Sequence, residues 1–234
     1  MTASLKDLIR DIRREAERAD FPVDREVYER AGKEPAEPIL FAGTLEAPAC
    51  IFGRDLGKDE VKYGQPLVGA GGKLVREGIL RAFGTPGDPV PRTREDLEAA
   101  LKFAILTNTV PYKPPGNKAY ADSVKERFRP FVARLLVEHW GGRHVITLGT
   151  EAFQWFARYG REDDFAGIGK SDQRFKAAFP CRLEVAGQSG TGPVSKELIV
   201  MPLPHPSPLN RKWIPRFPAL LDERLREVRR AHAG

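Results

Sequence analysis

A chain of 234 residues with a 41% hydrophobic fraction has material for a real core in one domain, two at most. Its net charge of +6 favours an anionic partner, nucleic acid before a membrane surface, because no amphipathic segment carries the strong apolar face of a membrane helix. Two cysteines, Cys50 and Cys181, exclude a disulfide framework and a CxxC metal or redox site; no run is apolar enough to cross a bilayer, and the mixed-charge N-terminus lacks the apolar heart of a secretory signal, so a reducing cytoplasmic setting is expected.

Ser4 can cap a helix with Asp7 three residues on, and Leu5, Leu8, Ile9 and Ile12 repeat at helical spacing, which predicts an amphipathic helix over 5–19. Residues 20–47, rich in Pro, Gly and charge, read as a long surface connection with one helical turn near Arg25 to Arg30. Ala49 to Gly53 is a short apolar run, a buried strand, and a polar glycine-rich stretch leads from it to a helix over 71–83. Leu101 to Asn108 is a second strand, followed by a stiff loop from Val110 to Asn117. Ala121 to Trp140 has a long helical pattern with Pro130 as a point of kinking. His144 to Leu148 is a third strand, and Gly149-Thr150 opens a helix over 151–159. Cys181 to Val185 and Leu198 to Met201 are further β runs with a GQSGTGP turn between them, and Phe217 to His232 is a charged C-terminal helix.

Short apolar runs alternating with helical patterns predict an α/β layer fold with a largely parallel sheet, in one domain over 1–234. Ligands of such sheets bind outside the carboxyl ends of the strands. Three loops fall there, after Gly53, after Leu106 and after Met201. The third, MPLPHPSPLNRKW, has four prolines between Pro202 and Pro208. Proline fixes φ and lacks an amide hydrogen, so this segment is stiff and is not expected to continue a central strand.

Other matches fail on their chemistry. Gly69 to Leu74 lacks the Ser or Thr of a phosphate loop and the final glycine of a dinucleotide fingerprint. Gly187 to Thr191 is not a GxSxG elbow, and His139, His144, His205 and His232 have no metal-collecting spacing. The three strand-end loops form a better set. Asp55 in the first can orient water and stabilise a cation. Asn108 in the second presents a donor and an acceptor side by side, which suits a pyrimidine edge. His205 in the third can donate to an oxygen that becomes anionic as a bond breaks, and Leu209 is an apolar tip beside Arg211 and Lys212. These parts fit hydrolysis of an N-glycosidic bond in an extruded nucleotide.

The chain resembles the uracil-DNA glycosylase superfamily. FGRDLGKDE with YGQPLVGAGGKL (52–74), LTNTVPYKPPGN (106–117) and HPSPLNR (205–211) resemble its three motifs in order, and LGTEAFQWF (148–156) is similar to a segment of the bacterial branch that carries an iron–sulfur cluster. The resemblance implies a three-layer α/β/α sandwich around a central, mostly parallel four-stranded sheet, with the terminal helices packed on it. It implies Asp55 as the water-activating carboxylate, Asn108 as the reader of the base, His205 as the group that stabilises the departing base anion, and Leu209 as the wedge that fills the gap in the stack. Phe52, Gly53, Arg54, Tyr63, Leu67 and Asn108 would line the base pocket. Ser207, Asn210, Arg211, Lys212, Lys113, Asn117 and Lys118 would meet DNA.

Several positions depart from the family pattern. Arg54 stands where related branches carry Glu or Gln, Gly57 where the classical enzymes place a tyrosine, and Leu67 where an aromatic ring stacks on the base, so that stacking weakens unless Phe52 or Tyr63 substitutes. Tyr112 and Phe128 stand where the cluster-bearing branch has cysteines; two cysteines cannot supply four thiolates, and aromatic packing is expected in place of the cluster. The expectation is a cofactor-free, monomeric DNA glycosylase of the bacterial nucleoid that removes uracil and leaves an abasic site. The alternatives are a glycosylase for another deaminated or oxidised base, such as hypoxanthine or hydroxymethyluracil, and a non-catalytic binder of damaged or single-stranded DNA.

Overall fold

The computed structural model describes residues 4–18, 21–85, 91, 93–116, 118–187 and 192–233. One sheet contains β1 (Phe41–Ala42), β2 (Ala49–Gly53), β3 (Ala104–Asn108), β4 (His144–Leu148), β5 (Phe179–Val185) and β6 (Val194–Leu203), in the spatial order β1-β3-β2-β4-β6-β5. The four strands β3, β2, β4 and β6 run parallel, as expected. The antiparallel edges β1 and β5 extend them to six strands rather than four. β1 is two residues long and has no periodicity to read, and β5 alternates buried and exposed residues, as an edge strand with one wet face does.

β2, β3 and β4 are buried along their whole length, which is why they read as unbroken apolar runs. Their alternate residues feed two cores. Cys50, Phe52, Ile105 and Val145 pack on one face under α6 (Asp122–Arg134) and α7 (Thr150–Gln154). Ala49, Ile51, Leu106, Ile146 and Met201 pack on the other against Val75 and Ile79 of α4 (Ala70–Phe83) and Leu221 and Leu225 of α9 (Phe217–Ala233). Helices on both faces of the sheet make the three layers. The short helices α1 (Leu5–Ala16), α2 (Arg25–Arg30), α3 (Lys58–Tyr63), α5 (Arg94–Glu98) and α8 (Glu162–Ala166) complete the α-helices among the described residues.

α1 starts at the reciprocal Ser4–Asp7 capping box and stops at Ala16. Residues 21–40 are not a surface connection. Phe21, Tyr28, Ile39 and Leu40 are buried with Leu8, Ile12, Tyr112 and Phe128 in a third core, where each fully buried Leu or Ile contributes about 1.5–3 kcal/mol. α6 continues past Pro130 to Arg134, and a single π turn over Leu135–His139 then ends it, with the Trp140 N–H donating to Leu135 O at 2.9 Å. The helix expected over 151–159 is divided into α7 and a separate turn at Ala157–Tyr159. Part of the GQSGTGP turn, 188–191, lies outside the described residues.

The proline-rich segment also differs from expectation, because β6 continues through Pro202 to Leu203. The Ile199 N–H donates to Arg143 O, and Leu203 O accepts from the Gly149 N–H, both at 2.8 Å, so odd-numbered residues turn their main chain to β4. Pro202 turns the other way, past the last β5 pair, Val200 with Phe179. No ladder hydrogen bond is lost there, which makes the proline compatible with the strand.

Candidate active site

The parallel register brings the carboxyl ends of β2, β3, β4 and β6 to one edge of the sheet. From β2 the chain moves to β3 on one side and then to β4 on the other, so a crevice opens at this reversal. Gly53 ends β2 in register with Asn108, the last residue of β3. Asn108 is 2% exposed, and its Oδ1 is buried with no hydrogen-bond partner. A Cβ on Gly53 would lie 2.6 Å from Asn108 Nδ2 and 3.6 Å from Leu67 Cδ2. The missing side chain therefore leaves a space that Asn108 and Leu67 both border. The Thr109 N–H donates to Gly53 O and Arg54 O at 3.1 Å each, which fixes the strand end.

Asp55 follows with a side chain 7% exposed; Arg54 Nε lies 2.7 Å from its Oδ2 but is not aligned to hydrogen-bond it, and both carboxylate oxygens lack hydrogen-bond partners. Burial raises the Asp55 pKa above the ordinary carboxylate value, with Arg54 and Lys125 acting against it. The other arm of Arg54 reaches Glu151 at the start of α7, Nη1 to Oε1 2.8 Å, and Lys125 Nζ holds the second oxygen at 2.6 Å. Burial works against the Glu151 charge, but hydrogen bonds from Lys125 and Arg54 outweigh it and hold its pKa below the usual range. Arg54, out of place by the family pattern, is thus charge-matched on both sides.

His205 sits beyond the end of β6, against Gly149, whose φ of 90° needs a glycine and whose added Cβ would lie 3.2 Å from the His205 Cβ. The residue is exposed at the rim, yet protein atoms surround enough of the ring to depress its pKa, and the Arg54 charge adds to this, so the imidazole is neutral at neutral pH. The loop beyond it is internally braced. Asn210 Nδ2 donates to His205 O at 3.1 Å, the Asn210 N–H to Ser207 O at 2.8 Å, and the Leu209 N–H to Ser207 Oγ at 3.2 Å. Leu209 stands 92% exposed at the tip. A Cβ on Gly71, in the first turn of α4, would lie 2.9 Å from Pro206 O, so this loop and the glycine-rich motif approach backbone to backbone.

The crevice edge brings together Gly53, Arg54, Asp55, Leu67, Asn108 and His205. Two expected pocket residues have their rings in other contacts. Phe52 is fully buried on the opposite face of the sheet, its ring 5.1 Å from Trp155 and 4.9 Å from Phe156, because residues alternate along β2. Tyr63 is partly exposed with the Arg94 guanidinium 3.3 Å from its ring centroid. Phe52 therefore offers no aromatic surface in place of Leu67. Lys113, expected at a DNA surface, is buried, and its Nζ donates to Asp24 Oδ2 at 2.7 Å, Pro114 O at 2.9 Å and Gly116 O at 2.6 Å. It closes a loop rather than meeting a ligand. Lys113→Met is expected to cost about 3 kcal/mol of stability, measured by urea unfolding, and to leave the salt dependence of DNA binding unchanged. Lys118 and Arg211 are exposed, Lys212 pairs with Asp172 at 2.6 Å on the surface, and Asn117 lies outside the described residues.

Sequence reading missed several residues that shape this site. Glu60 accepts from the Gly57 N–H at 2.9 Å, the Val68 N–H at 2.9 Å and the Gly69 N–H at 3.1 Å, so one carboxylate gathers the glycine-rich loop. Its place three residues after Gly57, at the start of α3, was the available signal. Tyr120, buried and stacked on Phe21, has an unpartnered hydroxyl, and Glu151, Lys125 and Arg76 left no mark in the sequence pattern.

The residues present do not fit an iron–sulfur cluster. Where the resemblance puts cysteines, the Tyr112 and Phe128 rings meet edge-on at 5.6 Å, and Phe21 packs on both at 5.0 Å. Cys50 and Cys181 are buried in a different core; burial pushes the Cys50 thiol up and the Cys181 thiol to about 12, so both stay protonated.

Two comparisons bear on the whole arrangement. The family model described as "Uracil DNA glycosylase superfamily" matches residues 41–229, which takes in every strand and all three strand-end loops. A curated relative named type-4 uracil-DNA glycosylase, from Sulfurisphaera tokodaii, is 26% identical over 197 residues, covering 83% of this chain and 70% of that protein. With the fold, the motif order and a family match across most of its length in agreement, the chain belongs to the uracil-DNA glycosylase superfamily.

Proposed function

We propose that this protein is a DNA glycosylase that extrudes uracil from DNA and hydrolyses its N-glycosidic bond, leaving an abasic site. The observation that carries the reading is the set of buried oxygens that accept no hydrogen bond at the ends of β2 and β3, both carboxylate oxygens of Asp55, ion-paired with Arg54, and Oδ1 of Asn108. Buried polar atoms are rarely left unpaired unless a ligand or water completes them. Asn108 takes the edge of the base. The C1′–N bond breaks with its electron pair passing to the base, and neutral His205 donates a hydrogen bond to the oxygen that gains charge. Asp55 accepts a proton from the water that attacks C1′. Leu209 enters the stack, and Ser207, Asn210, Arg211, Lys212 and Lys118 meet the DNA. Among the described residues no helix is long and apolar enough to cross a membrane, in keeping with a nucleic-acid substrate.

The test is incubation with labelled oligonucleotides carrying uracil, hypoxanthine or hydroxymethyluracil, followed by alkali to reveal abasic sites. Binding to all three without cleavage would overturn the enzymatic reading. Preference for a base other than uracil is the second reading, favoured by the small Leu67 wall and by Gly57. His205→Ala is expected to slow base release about a hundredfold while binding of the same oligonucleotide changes little, measured by single-turnover cleavage and a gel-shift titration.

A further inference from the structure

We propose that Arg76 is a positioning residue for the base pocket, holding Leu67 in a left-handed backbone conformation so that its side chain lies over the open side of Gly53, which Asn108 also faces. The inference rests on the base-pocket reading above and names what shapes that pocket.

Leu67 has φ 55°, and it is the only residue other than glycine with positive φ among the described residues. A leucine pays a steric penalty there that only surrounding structure can sustain. Arg76, one helical turn and more into α4, supplies that structure. It is 2% exposed, and Nε donates to Leu67 O at 3.1 Å, Nη2 to Gln65 Oε1 at 3.0 Å and, more loosely, to Pro66 O at 3.4 Å. Each of these acceptors lies in the one turn, Gln65-Pro66-Leu67. Gln65 Nε2 donates in turn to Glu98 Oε2 at 3.2 Å, and Arg76 Nη1 lies 3.6 Å from Glu98 Oε1. The ring of Arg76, Gln65 and Glu98 therefore matches the buried cation while aiming its donors at the turn. Gly72 completes the clamp, since a Cβ there would lie 2.0 Å from Leu67 O.

The turn has a functional address. Leu67 Cδ2 and Asn108 Nδ2 both approach the position that a Cβ on Gly53 would occupy. The direction of the Leu67 side chain depends on this φ, so whatever fixes the turn also fixes where Cδ2 lies. A buried arginine whose contacts serve a strained turn, beside an asparagine with an unpartnered buried oxygen, is arranged to define a ligand wall. Lysine at position 76 keeps the charge for Glu98 but lacks the planar fork that reaches several acceptors.

The test is a double-substitution cycle with Arg76→Lys, Leu67→Gly and both together, read by KM and kcat on an oligonucleotide with one uracil. Glycine adopts positive φ without strain and has no side chain to place. Arg76→Lys alone is expected to raise KM about tenfold with a smaller change in kcat, because the wall contacts the base in the ground state as well as in the transition state. In the Leu67→Gly background the same change is expected to shift KM less than about threefold. Equal effects in the two backgrounds would show that Arg76 supports the fold in general and would overturn the proposal. If the parent protein releases no base, the proposed function fails by itself, and the same cycle read from urea midpoints decides the Arg76 question: a coupled loss supports the clamp and additive losses refute it.

Discussion

Asp55→Asn is expected to lower the rate of base release by on the order of a thousandfold while leaving the protein at least as stable as the parent. The loss follows from removing the one buried carboxylate at the crevice that can take a proton from water. The stability follows from its surroundings. Burial raises the Asp55 pKa in the folded state above the ordinary value of 3.8. A carboxyl group shifted in that direction contributes stability that is present below its unfolded pKa and lost as pH rises through the folded one. Around neutral pH the charge is a cost to folding, which asparagine removes. The parent enzyme should lose activity on acidification at a pH above that of an ordinary carboxylate, and Asp55→Asn should flatten this limb. Single-turnover cleavage from mildly acidic to neutral pH, with urea unfolding at both ends, checks each part. An unchanged rate in Asp55→Asn would remove it from the mechanism.

Asn108→Ala is expected to have a comparable effect on turnover, a loss of about a thousandfold, again without unfolding the protein. The amide is held at a strand end against Gly53, and its buried Oδ1 has no bond to lose. Deleting a buried acceptor that the protein leaves unpaired removes a desolvation cost rather than a stabilising contact. The substitution should also blunt discrimination among uracil, hypoxanthine and hydroxymethyluracil, because the reading edge is gone while Leu67 still closes the wall. Rates on the three substrates measure this. Selectivity retained in Asn108→Ala would place base recognition elsewhere in the pocket.

Much of this architecture could be read from the chain because its central strands carry the strongest kind of signal. Ala49 to Gly53 and His144 to Leu148 are short apolar runs that only a doubly covered strand explains, and their ends placed Asp55 and fixed the crevice. Asn108 and His205 followed from the same logic. What escaped depended on geometry that has no local signature. Phe52 and Gly53 are neighbours, yet one faces a core and the other the crevice, and the strand pattern alone did not say which face was which. Lys113 between prolines looked like a surface cation because its burial depends on Asp24, 89 residues away, and on two carbonyls of its own loop that fold back over it, neither of which can be seen in composition. Arg76 is one of two arginines on an amphipathic helix, and only the backbone angle at Leu67 gives it a purpose.

The prolines at the end of β6 have a consequence for how the chain leaves the sheet. Pairing with β5 stops at Val200, yet Pro202 and Pro204 beyond it are buried, and β6 also packs against the turn Asp172–Lys176. An amide hydrogen buried there without a partner would cost about 1–3 kcal/mol, and proline has none to leave unpaired. The chain can therefore quit the ladder inside the protein at no such cost, and it reaches the rim already stiff, with His205 as its first exposed residue.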